Sequence, residues 1–150
     1  MQTPYIKIDL KRVEHNTKTL VNLCKENGIS VAGVTKGTLG MPEVARAMLK
    51  GGVSWLGDSR LDNIERLRED KIDAPILLMR SPHISEVDRV VNLADISLNS
   101  EYKVIKALSE ASLEKGVTHQ IIIMVDLGDL REGVWPDELL PLVKEVIKMK

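Results

Sequence analysis

Hydrophobic positions along the chain change their spacing repeatedly, and each change marks a predicted strand or helix. The first segment, Tyr5 to Leu10, alternates apolar and polar residues, which predicts a half-buried strand. The helix predicted next carries Val13, Thr17, Leu20, Val21 and Cys24 on one face and ends at Asn27-Gly28. Further strands are predicted at 30–36, 53–57, 75–79, 94–98 and 120–125, and helices at 41–50, 61–67, 84–91, 104–116 and 139–147.

Strands and helices thus alternate, with a repeat of roughly 20–25 residues, which is typical of a parallel α/β sheet. The pattern fits both an open doubly wound sheet and a (β/α)₈ barrel. In either architecture the functional groups lie at the carboxyl ends of the strands. These strand ends are therefore where the sequence predicts chemistry.

Composition narrows the class of protein without identifying its chemistry. The chain has 150 residues, 43% of them hydrophobic and 29% charged, with a net charge of -1, so neither a nucleic acid nor a membrane surface is indicated as a partner. No apolar run approaches the roughly 20 residues of a membrane helix. The mixed charges of the first dozen residues do not resemble a signal peptide. Cys24 is the single cysteine, which favours a reducing compartment, and we expect a cytoplasmic protein.

Four predicted strand ends carry polar residues: Lys36, Asp58-Ser59-Arg60, Arg80 to His83, and Asp126 to Arg131. Each has an ordinary structural alternative. Lys36 and Arg131 can be solvated loop residues, and Asp58 or Ser59 can cap the following helix.

Other site classes are disfavoured by spacing. His15, His83 and His119 form no recognised metal-ligand spacing with each other or with Cys24, so we expect no metal site. The segment Gly33 to Thr38 lacks the spacing of a phosphate-binding P-loop, and no dinucleotide fingerprint follows a strand.

Two segments, taken together, resemble the alanine/ornithine racemase family of pyridoxal-phosphate enzymes. Val31-Ala32-Gly33-Val34-Thr35-Lys36-Gly37 is similar to the first barrel strand of that family, which ends in the lysine that forms a Schiff base with the cofactor. Asp126-Leu127-Gly128-Asp129-Leu130-Arg131-Glu132-Gly133-Val134 is similar to its D-x-G-x-x-R-x-G-V segment. The wording of both segments is nearest the ornithine racemase branch.

The resemblance implies an α/β fold, a parallel (β/α) barrel of the alanine racemase N-terminal type that is incomplete in residues 1–150. It implies pyridoxal 5'-phosphate as the cofactor, Lys36 as the catalytic and cofactor-binding lysine, and Arg131 and Ser59 as further cofactor-binding residues. The implied activity is racemisation of an amino acid, of the ornithine or alanine type, through loss of the α-proton. A homodimer is implied for the full-length protein.

The chain departs from the family pattern at one position in particular. Many alanine racemases have a phosphate-contacting tyrosine four residues after the lysine, whereas this chain has Gly40. The second catalytic base of the family is a tyrosine of a C-terminal β-domain, and neither Tyr5 nor Tyr102 matches it. We expect that base, that domain and the remaining barrel strands to lie outside residues 1–150.

Three other interpretations stay open at this stage. The chain can be a non-catalytic pyridoxal-phosphate carrier, in which Trp55 to Arg60 corresponds to the Phe-Gly-Glu-Asn-Arg segment of that group. It can be a decarboxylase on the same barrel, or an α/β domain without a cofactor. For residues 1–150 alone we expect inward-facing side chains such as Val34 and Ile122 to lack an opposite wall, and we expect weak cofactor binding, no activity and self-association.

Overall fold

The computed structural model describes residues 4–149, which fold into five strands, six α-helices and two 3₁₀ turns. The strands are β1 (Ala32–Val34), β2 (Trp55–Asp58), β3 (Ile76–Leu78), β4 (Ile96–Asn99) and β5 (Gln120–Ile123). The helices are α1 (Leu10–Lys25), α2 (Pro42–Lys50), α3 (Leu61–Glu69), α4 (Val87–Leu93), α5 (Tyr102–Lys115) and α6 (Pro136–Val146). The 3₁₀ turns are Lys36–Thr38 and Ile84–Glu86.

All five strands run parallel, and their order across the sheet is their order along the chain, β1-β2-β3-β4-β5. A doubly wound sheet reverses its strand order at a switch point, whereas a barrel adds each strand on the same side of the last. The structure therefore selects the barrel alternative. Five strands are fewer than the eight of a closed barrel, so β1 and β5 are the two edges of an open sheet.

The core lies between one face of the sheet and the helices that cover it. Its largest side chains at or below 1% exposure are Leu56, Ile64, Leu67, Ile76, Leu78, Leu108, Val44 and Val90. The other face is open: Val34 is 38% and Ile122 42% exposed. This confirms the expectation that inward-facing side chains lack an opposite wall. Aliphatic side chains supply the core, as the absence of phenylalanine requires.

The prediction of a strand at Tyr5 to Leu10 is wrong. Tyr5 and Ile6 are 86% and 90% exposed, and neither belongs to a strand. Asp9 is the N-cap of α1, and its carboxylate accepts hydrogen bonds from the backbone N–H groups of Lys11 and Arg12. Alternating side chains form a strand only beside a neighbouring strand, and the described sheet offers none here.

Smaller differences concern element ends. The predicted strand at 30–36 stops at Val34, and Lys36 begins a 3₁₀ turn. Leu20, predicted to face the core, is 56% exposed. Val125 lies outside β5 and forms an isolated bridge with Val134. The other helices and strands lie where the periodicity predicts them, with ends shifted by a few residues.

Candidate active site at the carboxyl ends of the strands

The carboxyl ends of the five parallel strands lie side by side along one border of the sheet, which runs across the strands from β1 to β5 and which we call the functional edge. Lys36 follows β1 and Ser59 follows β2, and these two strands are hydrogen-bonded neighbours. Arg131 lies in the loop between β5 and α6. The structure thus places the three predicted site residues at the same edge, but Lys36 and Arg131 at its two extremes. The sheet spacing separates β1 from β5 by four strand intervals, about 19 Å along the sheet.

Lys36 has an exposed side chain on a firmly anchored backbone. The preceding residue, Thr35, is fully buried, and its N–H donates to the carbonyl of Gly57 on β2 at 2.9 Å. The Thr35 carbonyl accepts hydrogen bonds from the N–H groups of Thr38 and Gly40, at 3.0 and 3.2 Å, and from the Thr38 hydroxyl at 3.0 Å. The turn that carries Lys36 is therefore closed on itself and tied to the neighbouring strand. The freedom that remains is in the lysine side chain.

The far end of this turn is fixed by close packing against α3. Gly40 has a φ of +64°, and a Cβ atom built there would lie 2.8 Å from both the Cβ and the carbonyl oxygen of Asn63. Only glycine fits this conformation and this contact. A tyrosine, which many family members have at this position, has no room on this backbone. The absence of the tyrosine is therefore built into the local fold, and Gly40 makes no side-chain contact with a phosphate.

Asp58, at the end of β2, is a fully buried carboxylate with neutral donors around it. Its Oδ2 accepts from the hydroxyl of Thr35 at 2.8 Å. Its Oδ1 accepts from the backbone N–H of Arg60 and from Nδ2 of Asn63, both at 3.0 Å. The interpretation of Asp58 as a helix-capping residue holds in part, because Arg60 is the N-cap of α3 and its N–H is bound by this carboxylate. The bond to Thr35 was not foreseen from the sequence.

Ser59 follows Asp58 and is half-buried. Its carbonyl accepts a hydrogen bond from Nε of Arg80 at 2.9 Å. Ser59 lies just after β2, beside the fully buried Asp58, and unlike that residue it is partly accessible. A ligand at the functional edge can therefore reach Ser59.

Arg80 connects the ends of β2 and β3. Besides the Ser59 carbonyl, it donates to the carbonyl of Ser81 at 3.2 Å and to Oε1 of Glu86 at 2.9 Å. Burial raises the pKa of Glu86, but the His83 N–H and the Arg80 guanidinium outweigh burial and leave that pKa below its ordinary value. Arg80 is thereby committed to holding the edge together. Beside it, the hydroxyls of Ser81 and Ser100 approach to 3.4 Å.

The loop after β5 carries Arg131 and is organised by Asp126. The Asp126 carboxylate accepts from the N–H groups of Gly128 at 2.7 Å and Leu130 at 3.3 Å. The Gly128 bond is the main reason why the pKa of Asp126 lies below its ordinary value. Two backbone hydrogen bonds close the base of the loop: the Asp126 N–H donates to the Val134 carbonyl, and the Val134 N–H donates to the Met124 carbonyl, both at 2.9 Å. Arg131 is 78% exposed and has Glu132 as an ionic partner at 3.9 Å.

Two further observations bear on function classes. Within residues 4–149, no three His, Cys, Asp or Glu side chains are grouped so that they could hold a metal ion. His119, one of the histidines considered as ligands, instead bridges the Ala94 carbonyl through Nδ1 at 3.0 Å and the Ser97 hydroxyl through Nε2 at 2.8 Å. Burial lowers the pKa of His119.

None of the helices in the described part of the chain is long and apolar enough to span a membrane.

Thr35 is the residue of this edge that sequence reasoning missed. The available signal was a hydroxyl directly before the strand-end lysine together with an aspartate at the end of the next strand. That signal spans 23 residues and needs the parallel pairing of β1 and β2 to be meaningful. Local patterns such as helix caps do not reveal it.

Comparisons with known sequences assign this chain to a family. Residues 8–150 match the family model described as "Alanine racemase, N-terminal domain". The lysine racemase of Thermotoga maritima is 40% identical over 135 residues, which cover 90% of this chain and 38% of that protein. The ornithine racemase of Acetoanaerobium sticklandii is 37% identical over 148 residues, which cover 98% of this chain and 41% of that protein. The chain thus spans about two fifths of the length of these relatives.

Solved structures show the same fold at lower identity. The D-threonine aldolase of Filomicrobium marinum superposes on 99% of this chain and 42% of its own with a TM-score of 0.87 and 21% identity. An alanine racemase of Clostridium difficile 630 superposes on 95% of this chain and 38% of its own, with a TM-score of 0.81 and 22% identity. The family match, which runs over nearly the whole chain, shows that the chain belongs to the alanine racemase N-terminal domain family.

Proposed function

We propose that this chain forms the cofactor-holding part of a pyridoxal-phosphate-dependent amino-acid racemase, with Lys36 as the residue that bonds to the cofactor. The observation that carries the proposal is the turn of residues 35–40 after β1, which we call the Lys36 corner. It presents an exposed lysine amine at the carboxyl end of a parallel strand, on a backbone that is anchored on both sides. Racemases named for lysine, ornithine and alanine are 40%, 37% and 27% identical to this chain.

The described residues fit pyridoxal phosphate as a ligand. The Lys36 amine is exposed, so it can reach a carbonyl carbon placed over the open face. The Ser59 hydroxyl, at the end of the neighbouring strand, can donate to a ring substituent, and the Arg131 guanidinium can pair with an anionic oxygen. When bound, the cofactor supplies that carbonyl carbon and a conjugated ring that takes up the electron pair left when the α-proton departs.

Within this proposal, each residue has a separate task. Lys36 would hold the cofactor through its amine, and the same amine, when free, would take the α-proton on one face. Arg131 orients the substrate carboxylate and the cofactor oxygen through its planar pair of donors. Ser59 fixes the ring by a hydrogen bond. The base on the opposite face is not assigned to any residue of the described chain.

For the substrate, we propose an amino acid with a basic side chain. The relatives at 37–40% identity are named lysine and ornithine racemase, whereas alanine racemases such as those of Clostridium acetobutylicum and Thermobifida fusca are 27% and 31% identical. Ornithine was the branch indicated by the wording of the two motifs. Racemisation rates for ornithine, lysine and alanine, measured side by side, test this order.

The test of the cofactor assignment compares Lys36→Ala with Lys106→Ala in the protein as its gene encodes it. Lys106 lies on α5 and is paired with Glu110, so its replacement controls for the loss of a lysine. We expect Lys36→Ala to abolish the visible absorbance of the lysine-bound cofactor with the fold intact, and Lys106→Ala to retain it. Retention of the band in both variants would contradict the proposal.

A further inference from the structure

The buried carboxylate of Asp58 is more than a local cap of α3, because its contacts also reach the turn that follows β1. It binds the Thr35 hydroxyl beside Lys36, the N-cap residue of α3, and Asn63 within α3. Thr35 and Asp58 are both fully buried and Asn63 is 4% exposed, so the bonds from Thr35 and Asn63 to the carboxylate are shielded from water. Each oxygen of the carboxylate has a partner.

The same helix holds the other end of the Lys36 turn. Asn63 lies directly against Gly40, and the guanidinium of Arg66 donates to the carbonyl of Leu39. Leu39 has a φ of 54°, a conformation that residues other than glycine rarely adopt. A turn held in such a conformation needs contacts that fix it from outside. Here α3 supplies those contacts, and Asp58 fixes the start of α3 relative to Thr35.

The corresponding position on β4 shows that this arrangement is specific to the Lys36 corner. Asn99 ends β4 as Asp58 ends β2, each followed by a serine and a charged N-cap residue. The Asn99 amide donates to Ser97 within its own strand, and its Oδ1 is buried without a partner. Of these two buried polar side chains, only Asp58 reaches the turn that carries the lysine.

We propose that Asp58 and Thr35 form a positioning pair that sets the direction in which Lys36 meets the cofactor. The pair acts through the backbone: Asp58 holds the Thr35 hydroxyl, and Thr35 holds the turn in which Lys36 is the first residue. Neither residue touches the cofactor in this account. The proposal rests on the function proposed above, since it concerns the lysine that bonds to the cofactor.

At each of the two positions, one substitution keeps the hydrogen bond between residues 35 and 58 and another removes it. Thr35→Ser keeps the hydroxyl, and Thr35→Val replaces it by a methyl group. Asp58→Asn also keeps the link, because its amide can donate to Thr35 while the threonine proton turns to the Gly57 carbonyl 3.3 Å away. Asp58→Ala removes the link. Ser97→Ala is the control, since Ser97 is equally buried and hydrogen-bonded to two side chains, but lies on β4 away from Lys36.

The experiment measures, for the protein as its gene encodes it, the visible cofactor band, its pH midpoint, cofactor retention on dilution and the melting temperature. We expect Thr35→Val and Asp58→Ala to lose cofactor about tenfold faster, because a displacement of an ångström is costly in a preorganised site. The pH midpoint of the visible band in these two variants should fall outside the range spanned by wild type, Thr35→Ser and Asp58→Asn. Ser97→Ala should lose stability with an unchanged band.

The results separate failure of the positioning proposal from failure of the function. A wild-type band that survives Lys36→Ala overturns the function. A wild-type band that depends on Lys36 but is identical in Thr35→Val and Asp58→Ala overturns the positioning pair alone. If Thr35→Val does not fold, Thr35→Ala removes the same hydroxyl. If neither folds while Ser97→Ala does, the hydroxyl is required for the fold itself and the positioning pair is likewise overturned.

Discussion

The Lys36 corner and the Arg131 loop use the same device, an aspartate at a strand end, but over different distances. Asp58 binds groups from β1 and α3 and is fully buried. Asp126 binds N–H groups two and four residues ahead in its own loop, and Gly128 and Leu130 are exposed. The comparison teaches that a lysine held to a fixed direction needs contacts between elements, whereas a loop that presents an exposed arginine can be organised by local bonds.

The strongest test of this difference is the stability of Asp58→Ala. Removing the carboxylate leaves the nearly fully buried Asn63 amide and the Arg60 N–H without their acceptor, and it leaves the Thr35 hydroxyl with only the Gly57 carbonyl, 3.3 Å away. A stranded buried group costs about 1–3 kcal/mol, so we expect the free energy of unfolding to fall by about 2 kcal/mol or more. Urea denaturation measures this. Asp73→Ala, at an exposed position, is the control, and an equal loss in both variants would show that Asp58 is not a central link.

A second test uses the half-buried His119, which precedes β5 and is hydrogen-bonded to Ala94 and to Ser97 on β4, away from Lys36. Burial lowers the pKa of His119, so the unfolded chain binds a proton more readily than the folded one. Stability is therefore greatest above the ordinary histidine value of 6.5 and falls as the pH drops toward the lowered value. We expect His119→Gln to flatten this dependence in thermal unfolding. An unchanged slope would place the titration elsewhere.

The local character of the Arg131 loop predicts a smaller effect for Asp126→Ala. Gly128 and Leu130 are exposed residues, so we expect water to replace the lost acceptor and the melting temperature to change little. Because the pKa of Asp126 is lowered, its bonds hold at neutral pH and weaken only as the pH falls through that lowered value. We expect trypsin to cleave after Arg131 faster in Asp126→Ala than in Asp126→Asn, which keeps an acceptor. Equal rates would mean that the loop is held by its base alone.

Arg131→Lys should have the smallest effect on stability and a large one on turnover. The guanidinium is exposed and its ionic partner lies at 3.9 Å, so little folding energy depends on it. Lysine keeps the charge but lacks the planar pair of donors, and we expect turnover to fall by more than about tenfold. A collapse of the melting temperature would instead assign Arg131 to the fold.

The elements that the sequence predicts well are those set by neighbours along the chain. Gly28, Gly51 and Gly116 follow their helices as the stop signals indicate, and Leu61, Ile64 and Leu67 are buried as their spacing requires. Tyr5 and Ile6 were misjudged because a strand depends on a partner that lies elsewhere.

The candidate site divides in the same way. Lys36, Ser59 and Arg131 were found because the end of a strand is visible in the sequence, and they lie at the functional edge, where their roles stay predictions. The bond between Thr35 and Asp58 joins residues 23 apart and appears only when β1 and β2 are paired. Likewise, the contact that excludes a side chain at position 40 exists only because α3 packs against Gly40. Contacts between elements, not periodicity, decide how the lysine is held.

The central claim, that Lys36 bonds to the cofactor, is tested most directly by chemical trapping. The protein as its gene encodes it is loaded with pyridoxal phosphate and reduced with borohydride, and the modified lysine is located by peptide mass mapping. The account predicts one modified site, Lys36, with Lys106 and the other lysines unmodified. Modification at a different lysine, with Lys36 recovered intact, would contradict it.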